Sequence, residues 1–239
     1  MSIAAPPRTQ LTVAAATRML AVAGIFDMHG HISTRVDDAA YVNGHGASRI
    51  AVTPDEVAVV RISDGTVERG TPPSEFPIHR ELYRARSDIG AVAHYHALYA
   101  TALSVAGKPL VAAFNAGASF GRVVPVFDDP RLVRDEVRGR ALAAAVGTGT
   151  AAVLRGHGAV VVAPDIVTCL ALALQLEESA RRLWLAYAVG EPRAFSDAEV
   201  SSIAGDLGEP RVVRKIWIDA LERARLAGAM TGIDTEKLV

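Results

Sequence analysis

Cysteine is almost absent. The chain of 239 residues has one, Cys169, so an intrachain disulfide is excluded. It sits in the apolar run "IVTCLALAL", which reads as a buried thiol in a reducing compartment. An excess of one charge sign is also lacking: 25 Lys+Arg stand against 26 Asp+Glu, a formal net charge of −1. That excludes a general nucleic-acid surface. The longest greasy stretch, "IVTCLALALQL", is too short to span a bilayer and runs into "EESARR". The start, "MSIAAPPRTQL", lacks a basic segment followed by a continuous apolar one, so it is not read as a signal peptide. A soluble, cytoplasmic protein is expected, with no membrane and no nucleic-acid partner. Repeats and linkers are missing too.

What is present is hydrophobic material: half of the residues, enough for a sizeable core in a single domain over 1–239. "LTVAAATRMLAVAGIFD" has helical periodicity and a stop at Gly24. "MHGHISTRV" reads as a turn into a strand, and "RIAVTP" as a strand stopped by Pro54. "YVNGHGASR" suggests a hairpin with an Asn-Gly turn. "PDEVAVVRISDGTVERG" holds two strands around Asp64-Gly65. In "PPSEFPIHRELYRARSD", Ser74 is placed to cap a helix with Pro77 in its first turn. "GAVAHYH" reads as a strand, and "ALYATALSVAG" as a helix closed by Gly107. "DPRLVRDEVRGRALAAAVG" predicts a helix starting at Asp128 or Asp129 and ending at Gly147. "TAAVLRGHGAVVVAP" predicts two short strands around Gly156-His157-Gly158. The longest helix follows Pro164 and ends at Gly190. Its broad apolar face predicts a core side and a side for a partner chain. Residues 191–210 look polar and punctuated, and "RVVRKIWIDALERARLAG" gives a last helix. Interspersed helices and hairpin-like pieces favour one α/β domain with a mixed sheet over a purely parallel one.

Among seven histidines, two stand two apart in "VAHYHAL". On a strand such residues share a face, so His94 and His96 project together and can reach one ion. The pair alone is weak evidence, since two packed, hydrogen-bonded strand histidines need no metal. His157 stands between glycines that remove bulk and permit a sharp backbone path. By itself it reads equally as an ordinary loop histidine. If all three converge, an open coordination position remains, as a catalytic metal needs.

Glu75 lies at a helix start, where a carboxylate is favoured by exposed N–H groups. It is either a capping charge or an acid–base group beside the metal. His79, four residues later on the same helix face, either orients Glu75 or covers surface. In "HGHISTR", Gly30 with Ser33 suggests a loop of N–H donors for an anion, and Arg35 a bidentate carboxylate contact. A simple turn into a strand with a solvated Arg is the alternative. Arg49 is a further candidate anion contact.

These pieces resemble the class II aldolase/adducin family. The resemblance lies in "GHISTR", "AVTP", "PPSEFPIHRELYRARSDIGAVAHYHALYATALSV" and "LRGHGAVVVAPDIVTCLALALQLEESARR", in that order over roughly residues 10–190. The most specific part is Ser-Glu, then His-x-His nineteen residues after the Glu, then the isolated His-Gly. The resemblance implies a three-layer αβα domain around a mixed, mostly antiparallel sheet. It also implies a homotetramer, with the C-terminal helix around Trp217 and the tail (211–239) near a neighbour's site. It places the metal on His94, His96 and His157 and the catalytic carboxylate on Glu75. One divalent ion per subunit is implied, with Zn²⁺, Mn²⁺, Co²⁺ and Fe²⁺ all compatible with the ligands.

The departures concern phosphate. Sugar-phosphate members have "GNVS" where this chain has "GHIS", which puts His31 in the Asn position. Their Thr-Pro-Ser/Thr-Gly turn is "TPDE" here, with Asp55 and Glu56 expected to repel a phosphate, and the Ser-Ser before the glutamate is reduced to Pro73-Ser74. The resemblance therefore points to the aromatic-acid decarboxylase branch, acting on a hydroxylated phthalate-like or pyridine dicarboxylate. His31, Ser33, Arg35, Arg49 and Ser74 are the expected substrate contacts. An aldolase cleaving a non-phosphorylated hydroxy-keto compound is the alternative, ahead of a sugar-phosphate aldolase or epimerase.

Overall fold

The computed structural model describes residues 7–238. The expectations for residues 1–6 and 239 lie outside the described residues. Eight strands form one sheet: β1 (His31–Val36), β2 (Ala39–Asn43), β3 (Val57–Arg61), β4 (Val67–Arg69), β5 (Ala91–Tyr95), β6 (Val126–Phe127), β7 (Ala151–Leu154) and β8 (Gly158–Ala163). Their order is β4-β3-β2-β1-β5-β8-β7-β6. Every pairing is antiparallel except β6 with β7. The expected mixed, mostly antiparallel sheet is what forms.

Strand periodicity divides the core in two. Val57, Val59, Ala91, Ala93, Tyr95, Ala159 and Val161 face one side. There they meet α1 (Pro7–Val22), α3 (Leu98–Val105), α6 (Ile166–Val189) and α8 (Pro210–Leu226). Ala58, Val60, Val92, Val160 and Val162 face the other side, where α2 (Phe76–Ala85) packs with α5 (Glu136–Val146). This is the three-layer αβα arrangement. Two further helices, the short α4 (Asn115–Ala118) and α7 (Asp197–Leu207), pack on each other.

Four local expectations fail, each for a physical reason. The segment 49–54 is not a strand. Arg49 donates to the carbonyls of Gly30, Gly44 and Ala47 and curls the chain into turns. Asn43-Gly44 is not a hairpin turn. The Asn43 amide instead bonds Ile32 N–H and the Gly30 carbonyl, and the hairpin turns at Asp37, whose φ is 51°. Helix α5 starts after Asp135, whose carboxylate caps Arg138 N–H, and not at Asp128 or Asp129. Asp129 folds back onto the Arg131 N–H beside Pro130 and keeps that stretch out of the helix. The polar stretch 191–210 contains α7, started by a capping box of Ser196 and Glu199. That Ser-x-x-Glu signal was present in the sequence.

Helix α6 behaves as its pattern predicts. Cys169, Leu170, Leu176 and Leu183 are buried, while Trp184, Leu185 and Val189 are exposed. Trp217 is buried in its own chain's core, with its indole N–H donating to the Leu238 carbonyl. None of the described helices is long and apolar enough to cross a membrane.

Candidate metal centre and substrate cavity

The sheet brings the histidines together from separate parts of the chain. In the register of β1 with β5, His31 faces His94. His96 lies one residue past the end of β5, where the chain turns into α3. His157 sits in the tight turn between β7 and β8, its N–H bonded to the Leu154 carbonyl. Gly156 takes a φ of +68° there. A Cβ on Gly158 would come within 2.4 Å of the Tyr95 carbonyl oxygen, so only glycine lets the turn close against His96.

Ligand atoms of His94, His96 and His157 lie within 4.8 Å of one another. Both ring nitrogens of His94 and of His157 are buried without a hydrogen-bond partner among the described residues. Leaving four such nitrogens unpaired is costly unless something binds them. His96 is held by Asp27, whose Oδ2 lies 2.8 Å from Nδ1 and leaves Nε2 for the centre. A carboxylate behind a ligating imidazole is a recurrent feature of metal sites. This donor set fits a divalent ion with an open position. A second group, His31, Glu75 and His94, also converges within 4.8 Å and shares His94.

Glu75 occupies the N-cap position of α2, but its side chain makes no cap hydrogen bond. Its Oε1 accepts from Val133 N–H at 2.8 Å, while Oε2 lies 3.5 Å from His157 Nε2 and 3.8 Å from His94 Nε2. The capping alternative is thereby set aside. Burial pushes the carboxyl pKa up, yet His157, His94 and the Val133 N–H together outweigh burial and bring it to about 2. Burial holds His94 neutral, its pKa pushed down to about 3.

Beside the three converging histidines lies a cavity of about 300 Å³. His31, Arg49, Ser74, Glu75 and His96, all candidate site residues from the sequence, line it. His29, His45, Leu132 and Arg134 line it too and were not anticipated. Six of the seven histidines thus contribute to the ligand set or the cavity wall, and the seventh, His79, is hydrogen-bonded to His31. Arg49 is buried and braced by three carbonyls. Among the described residues its Nη2 meets no acceptor. Asp27 was also missed. Its Oδ1 accepts from the N–H groups of His29 and Gly30, a turn that "FDMHG" signals as an Asp before His and Gly.

Several expected contacts lie elsewhere. Asp27 takes the Gly30 N–H, so the donor loop proposed from Gly30 and Ser33 does not form. Ser33 is fully buried and bonds His79 and Tyr83. Arg35 shares the strand face of His31 but lies four residues along it, about 13 Å away. It donates to the Tyr83 carbonyl at 3.0 Å and stacks over the Tyr83 ring. His79 neither orients Glu75 nor covers surface; it is fully buried. Ser74 lines the cavity but does not cap α2. Asp55 pairs with Arg69, and Glu56 bonds Thr53, so neither carboxylate lines the cavity and neither repels an anion there.

Residues 11–184 match the family described as "Class II Aldolase and Adducin N-terminal domain". The chain is 32% identical over 235 residues to a "3,4-dihydroxyphthalate decarboxylase" of Rhodococcus jostii, covering 90% of this chain and 95% of that one. It is 25% identical over 175 residues to a "5-methylthioribulose-1-phosphate/5-deoxyribulose-1-phosphate aldolase" of Rhodospirillum rubrum, covering 73% and 79%. A solved "L-fuculose 1-phosphate aldolase" superposes with a TM-score of 0.78 at 24% identity, covering 85% of this chain and 97% of that one. An "aldolase II superfamily protein from Pseudomonas syringae" superposes with a TM-score of 0.82 at 21% identity, covering 95% and 96%. Fold, ligand set and sequence match agree: the chain belongs to the class II aldolase and adducin family.

Proposed function

We propose that this lyase removes carbon dioxide from a hydroxylated aromatic dicarboxylate, phthalate-like or pyridine-based. The observation that carries the reading is the lining of the cavity. Arg49, Arg134, His29, His45 and His31 surround it against the one carboxylate of Glu75. Such a surface favours a small, multiply anionic ligand. The kinship with dihydroxyphthalate decarboxylases supports the same class.

His94, His96 and His157 would hold one divalent ion, whose identity among Zn²⁺, Mn²⁺, Co²⁺ and Fe²⁺ is left open by three imidazoles. When bound, that ion supplies a Lewis acid that draws charge onto the substrate's oxygens. The chain's own groups do the rest. Arg134 and the Nη2 of Arg49 hold a carboxylate by charge and by N–H donors. Leu132 and Pro73 give the ring an apolar wall. Glu75, ionised at neutral pH and held by Val133 N–H through Oε1, presents Oε2. It takes the proton of a substrate hydroxyl. As the C–C bond breaks, carbon dioxide leaves and the bonding pair stays on the ring carbon, which takes the proton back from Glu75.

The assembly we read as a homotetramer. The exposed Trp184, Leu185 and Val189 of α6 support a partner surface, and we propose that the C-terminal helix and tail pack near a subunit interface.

The test is a substrate panel on the metal-loaded protein: dihydroxyphthalates, hydroxypyridine dicarboxylates, hydroxy-keto acids and fuculose phosphate. Carbon dioxide release from the aromatic acids is expected. Aldehyde or pyruvate without carbon dioxide would move the protein to the aldolase reading. Brisk cleavage of the sugar phosphate would overturn the substrate class.

A further inference from the structure

Behind the cavity runs a buried chain of hydrogen-bonding groups that the proposed chemistry does not use. Tyr83 OH lies 2.7 Å from Ser33 Oγ, Ser33 Oγ lies 2.7 Å from His79 Nδ1, and His79 Nε2 lies 2.6 Å from His31 Nδ1. Tyr83, Ser33 and His79 are each at most 1% exposed, and His31 is 2% exposed. All four are shut away from bulk water, so each depends on the others for its hydrogen bonds.

The partners dictate where the hydrogens lie. Tyr83 OH finds one hydrogen-bonding oxygen among the described residues, Ser33 Oγ, so the phenol donates to it. The Ser33 hydroxyl then has its own hydrogen to give, and its other partner is His79 Nδ1. With Nδ1 accepting, a neutral His79 carries its hydrogen on Nε2 and donates it to His31 Nδ1. Nδ1 of His31 therefore accepts. The hydrogen of His31 stands on Nε2, the nitrogen left for the cavity that His31 lines. Reversing every bond would strand the phenolic hydrogen in the core, at a cost on the order of 1–3 kcal/mol.

We infer that the Tyr83–Ser33–His79 chain fixes His31 as its Nε2–H tautomer, which makes His31 a hydrogen-bond donor to a substrate oxyanion and bars it from ligating the metal. This separates the two converging groups of side chains: the metal belongs to His94, His96 and His157, and the group containing His31 is a substrate contact. Tyr83, Ser33 and His79 are positioning residues that act through His31. The substrate half of this inference rests on the function proposed above; the tautomer half does not.

The test reads the tautomer directly. Nitrogen-15 NMR of histidine-labelled, zinc-loaded protein reports which ring nitrogen of each histidine bears hydrogen, with His31→Gln and His79→Gln assigning the two signals. His31 and His79 are both expected as single Nε2–H forms. Ser33→Ala removes the hydroxyl that donates to His79 Nδ1, so that the His79–His31 bond survives equally in either direction. It should bring the Nδ1–H form into both rings while zinc stays at one per chain. With the substrate found by the panel, Ser33→Ala should raise KM about tenfold, the effect of a weakened hydrogen bond to a charged oxygen. That rise should vanish when His31 is already Gln. A wild-type His31 with hydrogen on Nδ1, or one that loses its Nε2 hydrogen when zinc is added, would overturn the inference. So would a Ser33→Ala protein with unchanged tautomers. If the NMR result holds but no oxyanion substrate is turned over, it is the proposed function that fails.

Discussion

Asp27 divides its two oxygens between two tasks. Oδ1 closes the turn that leads into β1, and Oδ2 holds the ring of His96. Losing it would loosen one metal ligand and the neighbouring cavity wall together. Asp27→Asn is expected to lower metal affinity by 10–100-fold, the range typical of such supporting carboxylates, as read by competition with a chelator. His96→Ala should bring bound metal from about one ion per chain to none after reloading, measured by elemental analysis; equal content in both proteins would remove the site as drawn. Glu75→Gln should retain metal and substrate binding while cutting turnover by roughly 10²-fold or more. Burial also sets a pH response. His79 and His94 are pushed from the usual 6.5 down to about 3. Below about 6.5 the unfolded chain takes up protons that the folded chain refuses until about 3. Stability is therefore complete above that window and lost as pH falls through it. In metal-free protein His79→Gln should make this limb shallower by about 1.4 kcal/mol per pH unit, the share of one proton, measured by denaturant titration across pH.

At the scale of elements, the site hangs on a hairpin and a strand end. The β7–β8 turn has two glycines with different duties. Gly156 needs a positive φ, but a Cβ there would meet only Val105 Cγ2 at 3.7 Å. Gly158 carries no such φ, but a Cβ there would strike the Tyr95 carbonyl. Gly156→Ala should therefore cost on the order of 1 kcal/mol from backbone strain and keep its metal. Gly158→Ala should push the turn off the end of β5, part His157 from His96 and lose the metal. A pair of melting curves with metal analyses distinguishes the two; retained metal in both would show that the close approach is not needed. The pattern of alternating burial explains why the turn is placed so firmly. A one-residue slip of β8 would exchange Val160 and Val162 with Ala159 and Val161 between the two cores.

For the whole molecule, the proposed homotetramer would cover the exposed apolar residues of α6. Light scattering at micromolar concentration is expected to give four chains. A monomer there would contradict the assembly and would leave Trp184, Leu185 and Val189 as unexplained exposed surface.

How much of this was legible follows from how each feature is encoded. Elements announced by local chemistry were read correctly: α1 with its stop at Gly24, the strand pair around Gly156-His157-Gly158, and α6 between Pro164 and Gly190. Local periodicity and turn residues suffice for these. The family was legible because the spacing of Ser-Glu, His-x-His and His-Gly in the chain is peculiar to that fold, and the same spacing let His94, His96 and His157 be named as candidate ligands. What the sequence could not convey was where long side chains end. Arg35 and Arg49 look alike in their segments, yet one lies along β1 against Tyr83 and the other is braced beside the cavity. Asp55 and Glu56 looked like a barrier to phosphate, and their partners Arg69 and Thr53 turn them away. His79 read as either a partner of Glu75 or a surface residue, because helical spacing says nothing of the sheet above it. Arg134 and His45 enter the cavity from loops whose paths depend on contacts distant in sequence. Local order determined the elements and the ligand types. Only packing of β1 against β5, and of α2 beneath them, decided which histidines converge as candidate ligands, which lines the cavity and which is buried behind it.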